Sequence, residues 1–145
     1  MTVSVVNFAN PEVMKIPVAR TSGGPTTDTL LICTGLARCN FGPFGNRTTD
    51  DLVFQVSDAD ETTGAISPIR IAPAGLISSA AVVSLASISE VDNDQGTWEV
   101  LNVDIDISDE GFVEVRASLA VSDGLRINLV AYQVNLQIGP GTPIG

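Results

Sequence analysis

The clearest pattern in the chain is an alternation of apolar and polar residues between Trp98 and Ile138. A period of two residues is typical of a half-buried β-strand. Two short polar segments interrupt the alternation, residues 109–111 and 122–124. Each ends in glycine, as a type I turn followed by a left-handed residue requires. The pattern therefore predicts a three-stranded antiparallel meander with two tight turns.

The turn lengths also predict a register for the first hairpin. A three-residue loop pairs Ser108 with Phe112, and all the pairs that follow on one face are apolar. These pairs are Ile107–Val113, Ile105–Val115, Val103–Ala117 and Leu101–Leu119. A slip by one residue would expose this whole set, so the register is strongly specified.

Two further predictions concern charge and burial in the meander. On the polar face Asp104 lies opposite Arg116 and Asp106 opposite Glu114, so Arg116 is expected to serve both acids. The second turn would place Leu119 opposite Ile127, which makes Leu119 central to the core.

The alternation changes phase twice, between Val100 and Val103 and between Leu129 and Val130. A phase change within a strand indicates a β-bulge, or a strand that passes from one sheet to another. Long strands with such irregularities suit a sandwich or barrel.

Earlier in the chain, short apolar runs alternate with turn residues. The predicted strands are 2–8, 13–20, 30–36, 51–57, 66–72 and 76–91. Pro17 makes the second of these an edge strand or a broken one. The run 30–36 is apolar on both sides, as in a strand buried on both faces. Residues 76–91 also fit a helix face, but their Ser, Val and Ile residues favour a strand.

These elements predict an all-β fold, an antiparallel β-sandwich or jelly roll of about 8–9 strands that ends in the meander. We expect a single domain over residues 1–138. Residues 139–145 are rich in Gly and Pro, and they are expected to form a tail that cannot pair as a strand.

Composition supports a folded protein and narrows its partners. The 145 residues are 44% hydrophobic, with a mean hydropathy of +0.30, so disorder is excluded. No apolar run approaches the ~20 residues of a membrane span, and the start of the chain lacks the basic region of a signal peptide. The net charge is −10 and the seven basic residues form no cluster. Binding to nucleic acid or to an anionic membrane surface is therefore not expected.

Catalytic chemistry finds little support in the sequence. The chain has no histidine, which excludes Ser-His-Asp and Cys-His catalysis and histidine-bound metals. Acid–base chemistry would fall to carboxylates, but no pair shows the separation that a glycosidase needs. We therefore expect no enzyme and no cofactor.

Calcium is the one metal with candidate ligands. Asp92 and Asp94 precede a glycine, and Asp58 and Asp60 form a second acidic turn. Neither segment has the full calcium-loop pattern, so both are expected to be turns without metal.

The two cysteines, Cys33 and Cys39, match neither a redox pair nor half of a zinc site. The favoured interpretation is two buried thiols. A disulfide would need a turn between them, for which Gly35 is available.

Two segments are candidates for a subunit interface. Phe41 and Phe44 are expected to lie in a long turn, where exposed aromatic rings would mark an interface. The alternative is that this loop folds back as a lid over one end of the core. In the tail, Pro140, Pro143 and Ile144 are the other candidate interface residues.

In general style the chain resembles small virion β-proteins, such as phage capsid-decoration (cement) or tail proteins. The shared features are the all-β pattern, the absence of histidine chemistry and the loops rich in Gly, Pro and Thr. The resemblance implies a structural protein made in the host cytoplasm and located in the virion, with a homo-oligomer, a trimer by analogy, bound to a capsid or tail. The alternative is a ligand-binding sandwich, for example a carbohydrate-binding module with or without a requirement for calcium, in the cytoplasm or outside the cell. Its few aromatic residues offer little stacking surface for sugar rings.

Overall fold

The computed structural model describes residues 2–3, 5–21, 26–90, 97–122 and 124–145, with the side chains of residues 2, 3, 6, 7 and 87–90 left aside. Strands account for most of this part of the chain, and it contains no α-helix. The strands are β1 Thr2–Val3, β2 Val5–Arg20, β3 Thr26–Phe41, β4 Thr48–Gln55, β5 Ser57–Ala59, β6 Ile66–Pro68, β7 Leu76–Glu90, β8 Trp98–Ile107, β9 Val113–Val121 and β10 Leu125–Ile138. A short 3₁₀ turn, Pro73–Gly75, precedes β7.

The strands form two four-stranded sheets and one small hairpin. Sheet I has the order β1-β4-β9-β8, and sheet II has the order β2-β3-β10-β7. The pairing is antiparallel except between β1 and β4, and β5 and β6 form the separate hairpin. The all-β antiparallel sandwich predicted from the alternation is confirmed.

The core lies between the inner faces of the two sheets. Along β9 and β10 the buried residues recur at every second position, as the pleat requires. Large side chains that are fully buried come from both sheets and from the segment before β7: Leu31, Leu52, Leu119, Ile127, Leu136 and Ile138 from the sheets, and Ile71 from that segment. The period-2 pattern is therefore the direct signature of this two-layer packing.

The predicted three-stranded meander is wrong. The first hairpin is confirmed, with Ile107 paired to Val113 and Ile105 to Val115. The second turn, however, carries the chain from β9 in sheet I to β10 in sheet II. The alternation of residues shows that a strand has one buried face, but both inner faces of a sandwich satisfy that pattern equally well.

The phase changes do mark bulges. The β8–β9 register shifts between Val100 and Asn102, so Val100 and not Leu101 lies opposite Leu119. Leu101 is accordingly 45% exposed, and its predicted pairing with Leu119 is wrong. A second shift lies between Ile127 and Leu129 in β10, close to the predicted place.

Other strand predictions are refined by the tertiary structure. The predicted strand 2–8 divides between the two sheets, as β1 and the start of β2. β2 is an edge strand, as Pro17 predicted, and it bulges between Ala9 and Glu12. β3 is a central strand but is buried on its inner face only, so burial on both faces was a wrong expectation. Residues 76–90 form β7, which confirms a strand and not a helix.

Candidate functional site

The outer face of sheet I is acidic. Three strands bring four rows of side chains to this surface: Thr49–Ala120–Glu99, Asp51–Ser118–Asn102, Val53–Arg116–Asp104 and Gln55–Glu114–Asp106. Five of these residues are acids and one is a base. We call these four rows the acidic face.

Arg116 binds a different partner from the predicted one. Its guanidinium lies 3.2 Å from the carboxylate of Asp51 on β4 and 3.9 Å from that of Glu114. Asp104 instead accepts a hydrogen bond of 3.1 Å from the Asn102 amide. The described ion pairs of Arg116 are therefore not with Asp104 or Asp106. Its partner Asp51 lies on β4, which pairs with β9 on the side away from β8, and the predicted meander did not include that strand.

Asp51 is the best-supported carboxylate on this face. The Ser118 hydroxyl donates a hydrogen bond of 2.8 Å to it. This hydrogen bond and the contact with Arg116 lower the pKa of Asp51 below its ordinary value. The face is thus a charged, hydrogen-bonded surface that is well solvated.

The outer face of sheet II has the opposite character. Four strands bring four rows of four residues to it: Ala9–Leu36–Ala131–Ser84, Glu12–Thr34–Gln133–Val82, Met14–Ile32–Asn135–Ala80 and Ile16–Leu30–Gln137–Ser78. Among these only Glu12 is charged. Met14 is 51% exposed and Val82 is 66% exposed. We call these four rows the neutral face.

A shallow groove crosses the neutral face. It has a volume of about 310 Å³, and its lining includes Thr34, Val82, Ser84 and Gln133. Hydroxyl and amide groups therefore lie beside an exposed valine. Such a mixture suits contact with another protein surface, because polar rims around apolar atoms are usual at interfaces.

The phenylalanines predicted to mark an interface lie in or against the core. Phe41 ends β3 and is only 3% exposed, and Phe44 stacks edge-on against it with ring centroids 5.3 Å apart. The Gly124 amide donates to the Phe44 carbonyl at 3.0 Å, which ties the loop to the turn before β10. The loop is therefore the lid of the alternative interpretation, and exposed rings at this position were a wrong expectation.

The C-terminal tail folds back onto its own chain. Arg70 and Gly145 exchange two backbone hydrogen bonds of 2.9 Å, and Ile71 forms an antiparallel bridge with Ile144. The tail therefore forms no regular strand, as expected, but it is paired at this one isolated bridge. Ile144 packs against the core, while Pro140 and Pro143 are exposed. These contacts account for the position of the tail without a partner subunit.

The acidic segment of the calcium hypothesis is held by its own hydrogen bonds, with Asp58 in strand β5 and only Asp60 at the turn that follows. One carboxylate oxygen of Asp60 accepts from the amides of Thr62 and Thr63, both at 2.8 Å. These bonds lower the pKa of Asp60, and Asp58 accepts from the Ala59 amide in the same way. Within the described residues no group of three His, Cys, Asp or Glu side chains could hold a metal. Asp92 and Asp94 lie outside the described residues.

The two cysteines are free and buried in one continuous strand, as favoured from the sequence. Six residues of extended chain separate them by about 20 Å, which excludes a disulfide. Burial raises the pKa of Cys33 to about 12, with Asp58 contributing, and burial also raises the pKa of Cys39. Both thiols are therefore protonated and unreactive at neutral pH.

Near Cys33, the hydroxyl of Tyr132 is buried and makes no hydrogen bond. Burial raises its pKa to about 12 as well. Its ring packs against Phe54 and Phe8, with centroids 5.0 and 6.4 Å away. This group belongs to the core.

A cavity of about 200 Å³ lies between β2, the β5–β6 hairpin and the tail. Val13, Ile69 and Ile144 line it together with Lys15 and Asp58. No pattern in the sequence indicates this cavity, because its walls come from segments far apart in the chain.

Comparison with known proteins finds no match among family models, curated proteins or solved structures. No helix in the described part of the chain is long and apolar enough to cross a membrane. The contrast between the two outer faces is thus the structural feature that points most directly to a function. Sequence reasoning missed the neutral face, although every second residue is uncharged throughout 30–36, 78–84 and 131–137.

Proposed function

We propose that this protein is a non-enzymatic structural protein that self-assembles or decorates a larger assembly, as a phage virion component such as a capsid-decoration or tail protein. The observation that carries the proposal is the contrast between the neutral face and the acidic face. It gives the molecule one surface suited to burial against protein and one suited to water.

The electrostatic cost of contact favours this orientation. Each chain carries a net charge of −10, so most approaches between copies bring acids together. Burying the acidic face would remove five carboxylates from water with two arginines, Arg116 and Arg47, to pair them, which is costly. The neutral face avoids this cost, because fifteen of its sixteen positions are uncharged.

The area of the neutral face is close to that of a small interface. Four strands spaced about 4.8 Å apart and about seven residues long cover roughly 440 Å² in projection. Two such surfaces together approach the roughly 1,000 Å² that a specific interface needs. The virion assignment within the proposal rests on the general resemblance to small virion β-proteins.

The proposal is tested by measuring mass in solution with light scattering over a concentration series. We expect an oligomer at micromolar concentration. Met14→Glu, on the neutral face, should lower the mass of the oligomer. Leu101→Glu is the matched control, because Leu101 is similarly exposed, at 45% against 51%, but lies beside the acidic face.

A second measurement tests decoration directly. Peptides of this protein should be found by mass spectrometry in virus particles purified from the source of the sequence. A protein that is monomeric at every concentration and is absent from such particles would overturn the proposal.

A further inference from the structure

The sandwich has four edge strands, and three of them carry features that prevent pairing with another chain. The edges are β1 and β8 of sheet I and β2 and β7 of sheet II. An open edge presents unpaired amide and carbonyl groups, so natural proteins shorten, charge or bulge it. The four edges of this molecule can be compared on that basis.

β1, β8 and β2 are protected in different ways. β1 has only two residues. β8 carries Asp104 and Asp106 and bulges at Leu101. β2 contains Pro17 and bulges between Ala9 and Glu12. Each of these devices interferes with the regular ladder that a second chain would need.

In β7 such devices are confined to the two ends, where its ladder with β10 bulges at Ile77 and at Ala86. The strand is 15 residues long, and its sequence, LISSAAVVSLASISE, contains no proline or glycine and no charge before Glu90. From Ser78 to Leu85 its pairing with β10 is unbroken, so this part of the strand is regular. Within the described residues no strand is hydrogen-bonded to its open side.

The side chains along β7 also allow close approach. Ser78, Ala80 and Ser84 are small and exposed, and Val82 is 66% exposed. These four residues form one margin of the neutral face, and the groove described above reaches Val82 and Ser84. The open edge and the neutral face are therefore continuous.

We infer that β7 pairs in antiparallel orientation with β7 of a second copy of this chain, which joins two copies of sheet II into one eight-stranded sheet. The inference deepens the proposed function, on which it rests, by naming the contact between copies. Adding a strand at a free edge supplies main-chain hydrogen bonds without needing a pocket.

A second copy is the partner that the charges favour. From Leu76 to Ser89 the strand carries no charge, so a ladder between two β7 strands places no acids directly opposite one another along that stretch. Antiparallel pairing of a strand with itself creates a two-fold axis, so the contact closes as a dimer. Larger rings or layers would then need the rest of the neutral face.

Adjacent proline substitutions test the edge. Ala80 and Ala81 lie opposite Asn135 and Val134, and neighbouring amides of a strand point to opposite sides. Of Ala80→Pro and Ala81→Pro, one therefore removes an amide from the β10 ladder and the other an amide from the open edge. The variant that loses an amide of the β10 ladder should have a lower Tm. The variant that loses an amide of the open edge should remain folded and have the mass of the monomer.

Hydrogen exchange measured by NMR gives an independent readout on the wild type. On raising the concentration, alternate amides between Ser78 and Leu85 should become protected, namely those that point away from β10. Contact through the neutral face alone would cover side chains without protecting these amides. A mixture of Val82→Glu and Val82→Lys chains should associate while each alone stays monomeric, which keeps the test valid if a proline variant fails to fold.

The outcomes separate this inference from the proposed function. An oligomeric wild type with unprotected β7 amides and proline variants of unchanged mass would overturn the β7 contact and leave the structural role intact. A protein that is monomeric in solution but present in virus particles would also overturn the β7 contact and leave the structural role intact. A β7 dimer absent from particles would support the contact and overturn the virion assignment.

Discussion

At the scale of single residues, the sheet face on which a side chain lies decides its chemistry. Leu119 and Ser118 are neighbours in β9, yet the first is fully buried and the second donates a hydrogen bond to Asp51 on the acidic face. The same alternation makes Cys33 an inert core thiol. Burial, more than residue type, therefore controls which groups can react in this protein.

Leu119→Ala should destabilise the fold strongly. The side chain is fully buried between the sheets, so its removal leaves a cavity and should cost about 2–5 kcal/mol. Urea unfolding followed by circular dichroism measures this change. Leu101→Ala, at a leucine that is 45% exposed, is the control and should cost less than about 1 kcal/mol. Equal losses would show that Leu119 does not lie in the core.

The raised pKa of Cys33 predicts a loss of stability at alkaline pH. Its folded pKa of about 12 lies above the ordinary 9.0, so the folded state holds the proton more tightly. The stabilising contribution is complete below pH 9.0 and is lost as the pH rises toward 12. Urea unfolding at pH 8 and pH 10, compared between wild type and Cys33→Ala, should show a smaller pH-dependent loss in the variant.

A thiol reagent provides the check on this prediction. The native protein should react slowly at neutral pH, and it should react with two equivalents after unfolding, since both cysteines are free. Rapid reaction of the native protein would mean that the thiols are accessible.

At the scale of elements, the turns depend on where the chain passes close to its neighbours. Gly111 closes the β8–β9 hairpin with φ of 91°, and a Cβ there would lie 2.6 Å from the carbonyl oxygen of Ile71. The Ile71 amide donates to the Gly111 carbonyl at 2.8 Å, so this turn is also a contact with the segment before β7. The glycine serves both the turn conformation and this close packing.

Gly111→Ala should therefore cost more than Gly64→Ala. Gly64 also has a positive φ, of 72°, but a Cβ there would meet nothing within 4 Å. The control should lose about 1–2 kcal/mol for the left-handed conformation alone, and Gly111→Ala should lose clearly more. Thermal unfolding of the two variants gives the comparison, and equal shifts in Tm would argue against the contact with Ile71.

At the scale of the whole molecule, the acidic face and the neutral face lie on opposite outer sides of the sandwich. The core holds the sheets together, while the lid loop and the tail cover its ends. In the proposed assembly, the orientation of the molecule would follow from the cost of removing the carboxylates of the acidic face from water. The open β7 edge adds a direction in which copies can extend sheet II.

Removal of calcium should leave this architecture unchanged. Asp60 is already satisfied by the amides of Thr62 and Thr63, so its turn needs no cation. Adding a chelator should give the same Tm as adding calcium, by calorimetry. A large drop with the chelator would make the turn at Asp58 and Asp60, or that at Asp92 and Asp94, a ligand set.

The sequence by itself determined the class of fold and much of the local structure. A period of two residues identifies strands and their buried sides, so the first hairpin, the bulges, the edge position of β2 and the strand nature of β7 could all be predicted. Each depends on residues that are close in the chain. Pro17, Gly111 and the phase change before Val103 act through local geometry.

Only the tertiary structure decided which strands are neighbours. Two inner faces of a sandwich accept the same alternating pattern, so β10 could be assigned to sheet II only from its ladders with β3 and β7. The partner of Arg116 and the core position of Phe41 follow from pairings across long chain separations. The neutral face combines four strands from residues 9 to 137, and its lack of charge becomes visible only when they lie side by side. The local period of two residues indicates which side chains are buried. It does not indicate which strands pair, because several distant segments have a similar pattern.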